Sequence, residues 1–177
     1  TPATDGERVF AIFGSGEIAC LDLDGGIIWT RDLGIPENEY GHASSLDLWK
    51  GLVFVQLDQG KPKDGKSRLL AIDARTGGTS WEVKRPVGSS WSTPMAFRGA
   101  GRDQVIACAD PWAIAYDPAS GAELWRASVL GGEVVPSPIV VDGLVIVASV
   151  DGAVAAIRPD GEGDVTGTHI IWRHEEN

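Results

Sequence analysis

Cysteine is scarce in this chain. Cys20 and Cys108 are the two present, far apart and with no CxxC pair, which excludes a zinc site of the usual spacing and gives no disulfide framework. They read as small buried apolar residues. Positive charge is also short: 15 Lys plus Arg stand against 25 Asp plus Glu, a net charge of -10, and a basic face for phosphate is therefore missing. Nucleic acid is not expected as a partner. Long apolar runs are lacking too. The best stretch, Val134 to Val150, is broken by Pro136, Pro138, Asp142 and Gly143, so no segment reaches the roughly 20 residues of a membrane helix. The chain opens at Thr1-Pro2 with neither an initiator Met nor a charged-then-apolar leader, which fits a removed signal or an excerpt of a longer protein. No His-x-x-x-His, Gly-x-Ser-x-Gly or Cys/His cluster occurs, and His169 and His174, five apart, fall on opposite faces of a strand.

What is abundant points to β-structure. Gly and Pro (23 and 10 residues) make up about 19% of the chain against a usual roughly 12%, so turns are frequent and helices short or absent. With 43% apolar and 23% charged residues, the composition is that of a globular core. Self-comparison then finds a repeat. Asp22 to Trp29, Asp73 to Trp81 and Asp117 to Trp125 align, each with a Gly four residues before its Trp, and a fourth copy runs from Ala156 to Trp172 with a longer acidic, Gly-rich turn. Trp29, Trp81, Trp125 and Trp172 recur at intervals of 52, 44 and 47. A second register agrees: Thr1-Pro2, Ser44-Ser45, Thr93-Pro94 and Ser137-Pro138 each precede an apolar run.

Each unit holds an apolar run (Arg8 to Phe13, Leu52 to Leu57, Val105 to Cys108, Leu144 to Val150) behind a turn such as Asp5-Gly6, Lys50-Gly51 or Asp142-Gly143. A further strand follows each, at Glu17 to Leu23, Arg68 to Asp73, Trp112 to Asp117 and Ala153 to Arg158, and another ends on the Trp. With the short strand at the Ser/Thr-Pro, four strands per unit result. Because Val9, Phe10, Ala11, Ile12 and Phe13 are all apolar, both faces of the sheet must be covered, so sheets stack on sheets. Four-stranded antiparallel sheets at this period are blades of a β-propeller, and the fold expected is all-β with blades at about 1–40, 41–88, 89–132 and 133–177.

The Asp-x-x-Thr/Ser-Gly-x-x-x-Trp element at Asp73 to Trp81 and Asp117 to Trp125 resembles the tryptophan-docking motif of pyrroloquinoline-quinone (PQQ) type propeller repeats, and the resemblance covers nearly the whole chain. The stretch Ile157 to His169 also resembles a segment of exported PQQ-like propeller proteins of environmental bacteria. The resemblance implies that Trp29, Trp81, Trp125 and Trp172 are blade-docking residues, each indole filling the wedge between adjacent sheets while its N–H reaches a backbone carbonyl. It also implies a ring of usually about eight blades. Four blades are then half a ring, whose end faces pair with a second copy or are completed by the rest of a parent chain. An exported, periplasmic location is what the resemblance favours.

Chemistry is harder to find. Gly14-Ser15-Gly16-Glu17-Ile18-Ala19 fits a dinucleotide fingerprint, but Asp22, Asp24, Gly25 and Gly26 deny it the helix it needs, and the equivalent place in the fourth unit is an ordinary Asp151-Gly152 turn. A hairpin is expected instead. Asp160, Glu162 and Asp164 resemble the start of a calcium loop whose closing acid is missing, because position twelve is Ile171, and a solvated turn is the plainer expectation. The quinone enzymes that share the repeat use vicinal cysteines, a stacked indole and a calcium-holding carboxylate set. This chain has no adjacent cysteines, so no cofactor or metal is expected, and a fragment of a PQQ-dependent alcohol or sugar dehydrogenase is the alternative. The main expectation is a non-enzymatic scaffold, as in the outer-membrane assembly scaffolds that share the repeat, recognising protein, peptide or glycan through one loop face. The candidate residues there are Glu37, Asn38, Glu39, Tyr40, His42, Trp91, Asp110 and Trp112, where aromatic rings stand beside polar groups. Lys61, Lys63 and Lys66 are expected on a mobile solvated insert.

Overall fold

The computed structural model describes residues 1–151 and 153–175; Gly152, half of the expected Asp151-Gly152 turn, lies outside the described residues. Four antiparallel meanders follow one another along the chain. The first contains β1 (Ala3–Thr4), β2 (Arg8–Ile12), β3 (Glu17–Asp22) and β4 (Ile27–Asp32), and the second β5 (Asp47–Trp49), β6 (Leu52–Leu57), β7 (Arg68–Asp73) and β8 (Thr79–Lys84). The third contains β9 (Met95–Gly99), β10 (Arg102–Ala109), β11 (Trp112–Tyr116) and β12 (Glu123–Ser128). The fourth is built from β13 (Ile139–Val141), β14 (Leu144–Ala148) and β15 (Ala153–Ile157), then, after the short β16 (Gly163–Asp164), β17 (Ile170–Glu175). The only helical element among the described residues is a single 3₁₀ turn at Pro62–Asp64. Glycine and aspartate at the hairpin turns, as at Asp73 to Gly78, keep strands short and return the chain on itself.

The sheets stack in sequence order. One core joins sheets 1 and 2 through Phe10, Ile18, Cys20, Val53, Val55 and Ile72; a second joins sheets 2 and 3 through Phe54, Leu69, Val105 and Ile114; a third joins sheets 3 and 4 through Ile106, Trp125, Val145 and Val147. Each sheet thus has a forward face toward its successor and a rear face toward its predecessor. The first strands converge, β1 against β5 and β5 against β9, and these are the innermost strands of propeller blades. Hydroxyls tie them. The Thr1 amino group donates to Ser45 Oγ at 2.8 Å, Ser45 N–H to Thr93 Oγ1 at 2.9 Å, and Thr93 N–H to Ser137 Oγ at 3.2 Å.

Strand register places the same three residue types side by side on every forward face: a large apolar group, a small one and Trp. The triplets are Phe10–Cys20–Trp29, Phe54–Ala71–Trp81, Ile106–Ala115–Trp125 and Ile146–Ala156–Trp172. The small central residue leaves room for the indole to lie over it toward the next sheet. Trp29 Nε1 donates to the Ala74 carbonyl at 3.0 Å and Trp81 Nε1 to the Pro118 carbonyl at 2.8 Å, each on the following sheet. Glycine completes the seat. A Cβ on Gly77 would lie 2.7 Å from Trp29 Cδ2, and one on Gly121 would lie 2.7 Å from Trp81 Cε3.

The other two tryptophans depart from the expected carbonyl contact. Trp125, fully buried, donates to Gln104 Oε1 of its own sheet at 2.8 Å, and Gln104 Nε2 passes the link on to the Pro159 carbonyl of sheet 4 at 3.0 Å. Pro159 holds the place of Ala74 and Pro118, so a glutamine is inserted as a relay where the receiving turn is longer. Trp172, on the last sheet among the described residues, is 38% exposed and rests against His174, with ring centroids 5.5 Å apart. The acidic turn keeps Asp160, Glu162 and Asp164 exposed, and its backbone also serves as a strap. Its β16 pairs in parallel with β12, Gly163 against Trp125 and Asp164 against Arg126, and Val165 is buried in the core of sheets 3 and 4. Arg102 Nη2 holds the Gly161 carbonyl at 2.5 Å, and Thr166 Oγ1 both donates to Asp164 and accepts from Ser128 N–H.

Gly121 has φ +75, so Gly121→Ala adds a left-handed penalty of about 1–2 kcal/mol to an overpacking cost of about 1–3 kcal/mol against Trp81. Gly51 has φ +82 but open space around it, so Gly51→Ala should carry the first cost alone. Chemical denaturation of the two variants should therefore show the larger loss at Gly121. Equal losses would remove the indole contact from the account of stability.

Candidate functional site

The hairpin tips between second and third strands and the segments joining consecutive sheets are woven into one face. His42 N–H donates to Gly14 O, Gly60 N–H to Glu37 O, Ser89 N–H to Gly60 O, and Trp91 N–H to Val134 O. Gly14-Ser15-Gly16 is a hairpin tip followed by β3, so the dinucleotide fingerprint has no helix behind it. The lysine-bearing insert forms its own 3₁₀ turn with Lys61, Lys63 and Lys66 exposed, and Lys66 pairs with Glu37.

At the centre of this face Asn38 organises four neighbours. Its Oδ1 accepts from Trp91 Nε1 at 2.7 Å, and its Nδ2 donates to the Asp58 carbonyl at 3.2 Å. Tyr40, 64% exposed, leans on Trp91 with ring centroids 5.6 Å apart and planes at 59°, a tilted pair held open to solvent. Glu37 and Glu39 lie exposed beside it. The structure thus brings Glu37, Asn38, Glu39, Tyr40 and Trp91 together. Asp110 and Trp112 belong to a different neighbourhood. Trp112 packs into the core between sheets 2 and 3 with the Arg126 guanidinium 5.2 Å from its ring centroid, and Asp110 is exposed at the β10–β11 tip.

Beneath the aromatic pair lies a buried polar cluster that sequence reasoning missed. Arg85 and Asp58, both with fully buried side chains, form a two-pronged ion pair, Nε to Oδ1 at 2.8 Å and Nη2 to Oδ2 at 3.1 Å. Arg85 Nη1 donates to Tyr116 Oη at 3.0 Å, and Ser90 Oγ donates to Asp58 Oδ2 at 2.8 Å. Gln56 Nε2 lies 2.8 Å from Asp58 Oδ2, Ser90 Oγ and the Cys108 carbonyl. Burial works against the Arg85 charge, but the Asp58 carboxylate more than offsets this and pushes the guanidinium above its ordinary range. Removing one partner of such a pair costs about 3–5 kcal/mol. The cluster fastens sheet 2 to sheet 3 directly under the loops that carry Asn38 and Trp91. A signal existed in the polar Gln56 and Asp58 at the end of an otherwise apolar strand, but the partner Arg85 is remote in sequence.

Catalytic and cofactor chemistry finds little to build on. Both cysteines are free, buried and on different sheets, and burial pushes the Cys108 thiol up to about 12. Among the described residues no group of three or more His, Cys, Asp or Glu side chains is placed to hold a metal ion, and no helix is long and apolar enough to cross a membrane. The side chains present do not match a vicinal-cysteine quinone site, because Trp29, Trp81 and Trp125 are engaged within or between sheets.

A family profile described as outer membrane protein assembly factor BamB matches residues 1–107 and again 65–177. The chain belongs to the BamB family. The BamB of Alkalilimnicola ehrlichii is 28% identical over 177 residues, an alignment covering 94% of this chain and 42% of that protein. In structure, BamB from Moraxella catarrhalis superposes with a TM-score of 0.72 at 20% identity, over 99% of this chain and 51% of that one. A quinohemoprotein alcohol dehydrogenase from Pseudomonas putida superposes at 0.70 and 19% identity, over 99% and 33% respectively. The chain therefore spans about half, or less, of the length of the BamB proteins it matches, and its likeness to the dehydrogenase is one of fold.

His42 sits at the edge of this BamB-family face with its Nε2 buried and unpartnered, and burial lowers its pKa while the Ser44 backbone contact and Asp58 act the other way. Its neutral form is the one the fold prefers. Above the ordinary value of about 6.5 this costs nothing; as pH falls through that value the unfolded chain takes up the proton first, and stability is lost until the lower folded value is passed. Urea unfolding at pH 7.5 and 5.5 should show a smaller loss in His42→Gln than in the unmodified protein. An equal loss in both would show that His42 is not the group responsible.

Proposed function

We propose that this chain is a non-enzymatic propeller scaffold of BamB type that grips polypeptide through its loop face, with Tyr40 and Trp91 as the contact pair and Glu37, Asn38 and Glu39 around them. The observation that carries the reading is the exposed Tyr40 leaning on a half-buried Trp91 that Asn38 holds from below. Aromatic groups held rigidly over a buried support lose little entropy on binding and dominate contact energies. A relative described as an assembly factor for outer membrane proteins supports polypeptide over glycan as the ligand class, and it supports export of this chain to the compartment where such proteins are assembled. In this reading Asp110, exposed at the β10–β11 tip, is a separate contact, and Trp112 is half-buried in the seam between sheets 2 and 3. Trp29, Trp81, Trp125 and Trp172 are the blade-docking residues, and the blades divide near 1–40, 41–88, 89–132 and 133–177.

Binding is tested by titrating unfolded outer-membrane-protein segments against the chain and following tryptophan fluorescence. Tyr40→Ala and Trp91→Phe should each weaken the response about tenfold or more, the loss of about 1.4 kcal/mol or more expected for an interface aromatic. Binding unchanged in both variants would remove this site.

The dehydrogenase reading rests on the fold likeness to the quinohemoprotein enzyme. Reconstitution with PQQ and calcium should give neither a quinone absorbance shift nor dye reduction with alcohols. Dye reduction that depends on both additions would establish the enzyme instead.

A further inference from the structure

A second concavity lies at the opposite end of the strands from the loop face, in the seam between sheets 2 and 3. Strand register explains why it exists. Phe54 and Ile106 hold the same place on their two forward faces; beyond them β5 and β6 stop pairing at Trp49–Leu52, whereas β9 and β10 run on to Gly99–Arg102. The longer hairpin projects past the shorter one. At the step between them is a cavity of about 340 Å³, at the lower end of the roughly 300–1,000 Å³ of small-molecule sites. Leu52 of sheet 2 and Pro118, Ala119 and Leu124 of sheet 3 form its apolar walls, and Trp49, Lys50, Arg102 and two aspartates its polar ones.

The acceptors that line this cavity are largely engaged. The Pro118 carbonyl accepts from Trp81 Nε1 at 2.8 Å, and Asp117 Oδ1 accepts from the Ala119 and Ser120 N–H groups at 2.7 and 3.2 Å. Asp103 accepts from Lys50 Nζ and, at 3.0 Å, from Arg98 Nη1, and the Lys50 contact above all holds its carboxyl below the ordinary range. Donors are left over. Arg102 Nη2 is spent on the Pro159 and Gly161 carbonyls, at 3.3 and 2.5 Å, while its buried Nε has no partner among the described residues. Trp49 Nε1, also buried, leans toward Asp103 without closing a hydrogen bond. A buried N–H without an acceptor is costly, and an arginine N–H is best satisfied by an anion. The charges agree, since Lys50, Arg98 and Arg102 outnumber Asp103 and Asp117.

We propose that this cavity binds a small organic acid, its flat apolar body against Leu52, Pro118 and Leu124 and its carboxylate toward Arg102 Nε and the Trp49 N–H. The carboxylate supplies the acceptor that both donors lack, and the surplus of positive charge favours it over an amide or an amine. Size sets the rest of the molecule. At roughly 30 Å³ for each water-sized group, the cavity has room for about ten non-hydrogen atoms, enough for one aromatic ring with a short acid arm. None of these residues belongs to the loop face described above, so neither reading depends on the other.

Isotope labelling of the indole nitrogens gives one N–H resonance for each of the seven tryptophans, and Trp49→Phe identifies the one that belongs to this cavity. Sodium phenylacetate should shift that resonance saturably. Phenylacetamide and phenethylamine, its neutral and cationic counterparts, should bind at least about tenfold more weakly. Arg102→Gln removes the charge, and Ala119→Trp, at an exposed turn position, fills the mouth of the cavity without altering a donor. Each should weaken phenylacetate about tenfold or more, with circular dichroism checking that the variant folds. Should Arg102→Gln lose the Gly161 contact and the fold with it, Ala119→Trp decides. No saturable shift, an equal response to the amide or the amine, or full binding in either folded variant would overturn the proposal.

Discussion

The structure depends on seating a flat indole between two sheets that are themselves almost wholly apolar. Two conditions recur on every sheet, a small residue beside the indole and a large apolar group beyond it, and Trp29 and Trp81 add a third, a glycine on the sheet they enter. Cys20, Ala71, Ala115 and Ala156 meet the first, which explains the unusual place of a cysteine in an otherwise aliphatic seam. An indole buries about 150–250 Å², and its single N–H must be satisfied when it is covered. Three seams answer that need differently, two with a direct carbonyl and one through the Gln104 side chain. The fold tolerates variation in the partner but keeps the indole.

Apolar seams of this kind hold sheets together without dictating which polar groups stand at the rim. That task falls to the Asp58–Arg85 pair and its hydrogen-bonded neighbours, which join sheets 2 and 3 and carry the Asp58 carbonyl up to Asn38. A charge pair in such surroundings adds little net stability over an apolar filling. Its effect here is positional: Asn38 is fixed from below, Trp91 is fixed by Asn38, and Tyr40 leans on Trp91. Exposed Tyr40 is thus the last link of a chain that begins in the core.

How far the sequence could be read follows from the range of each interaction. The tryptophan period, the hairpin turns and the all-apolar Val9 to Phe13 strand are local patterns, and they sufficed for blades of four strands. The Thr1, Ser45, Thr93 and Ser137 series was visible as a second register, although its role as an inter-sheet hydroxyl ladder was not. The Gln104 relay to Pro159 and the Asp58–Arg85 pair join residues far apart, and although Asp58 stands out at the end of an apolar strand, no local pattern names its partner. The acids Asp160, Glu162 and Asp164 face water as their pattern suggests, but the pattern did not show that the backbone between them reaches β12 and is anchored by Val165. Of the eight loop-face candidates, the five that converge come from one inter-sheet segment and the next, whereas Trp112 was diverted into a seam by its apolar surroundings and Arg126.

The strap formed by Gly163 and Asp164 has a bearing on how a ribosome can deliver this chain. Strand β12 is finished well before residue 163 emerges, and in that interval its outer backbone groups face water as a bare template for any passing strand. The protein closes that edge with its own later segment, in parallel and over two residues, once the fourth sheet is being laid down. The third blade therefore has a covered edge only once the fourth is present, while among the described residues the outer edges of β4 and β8 carry no such strand.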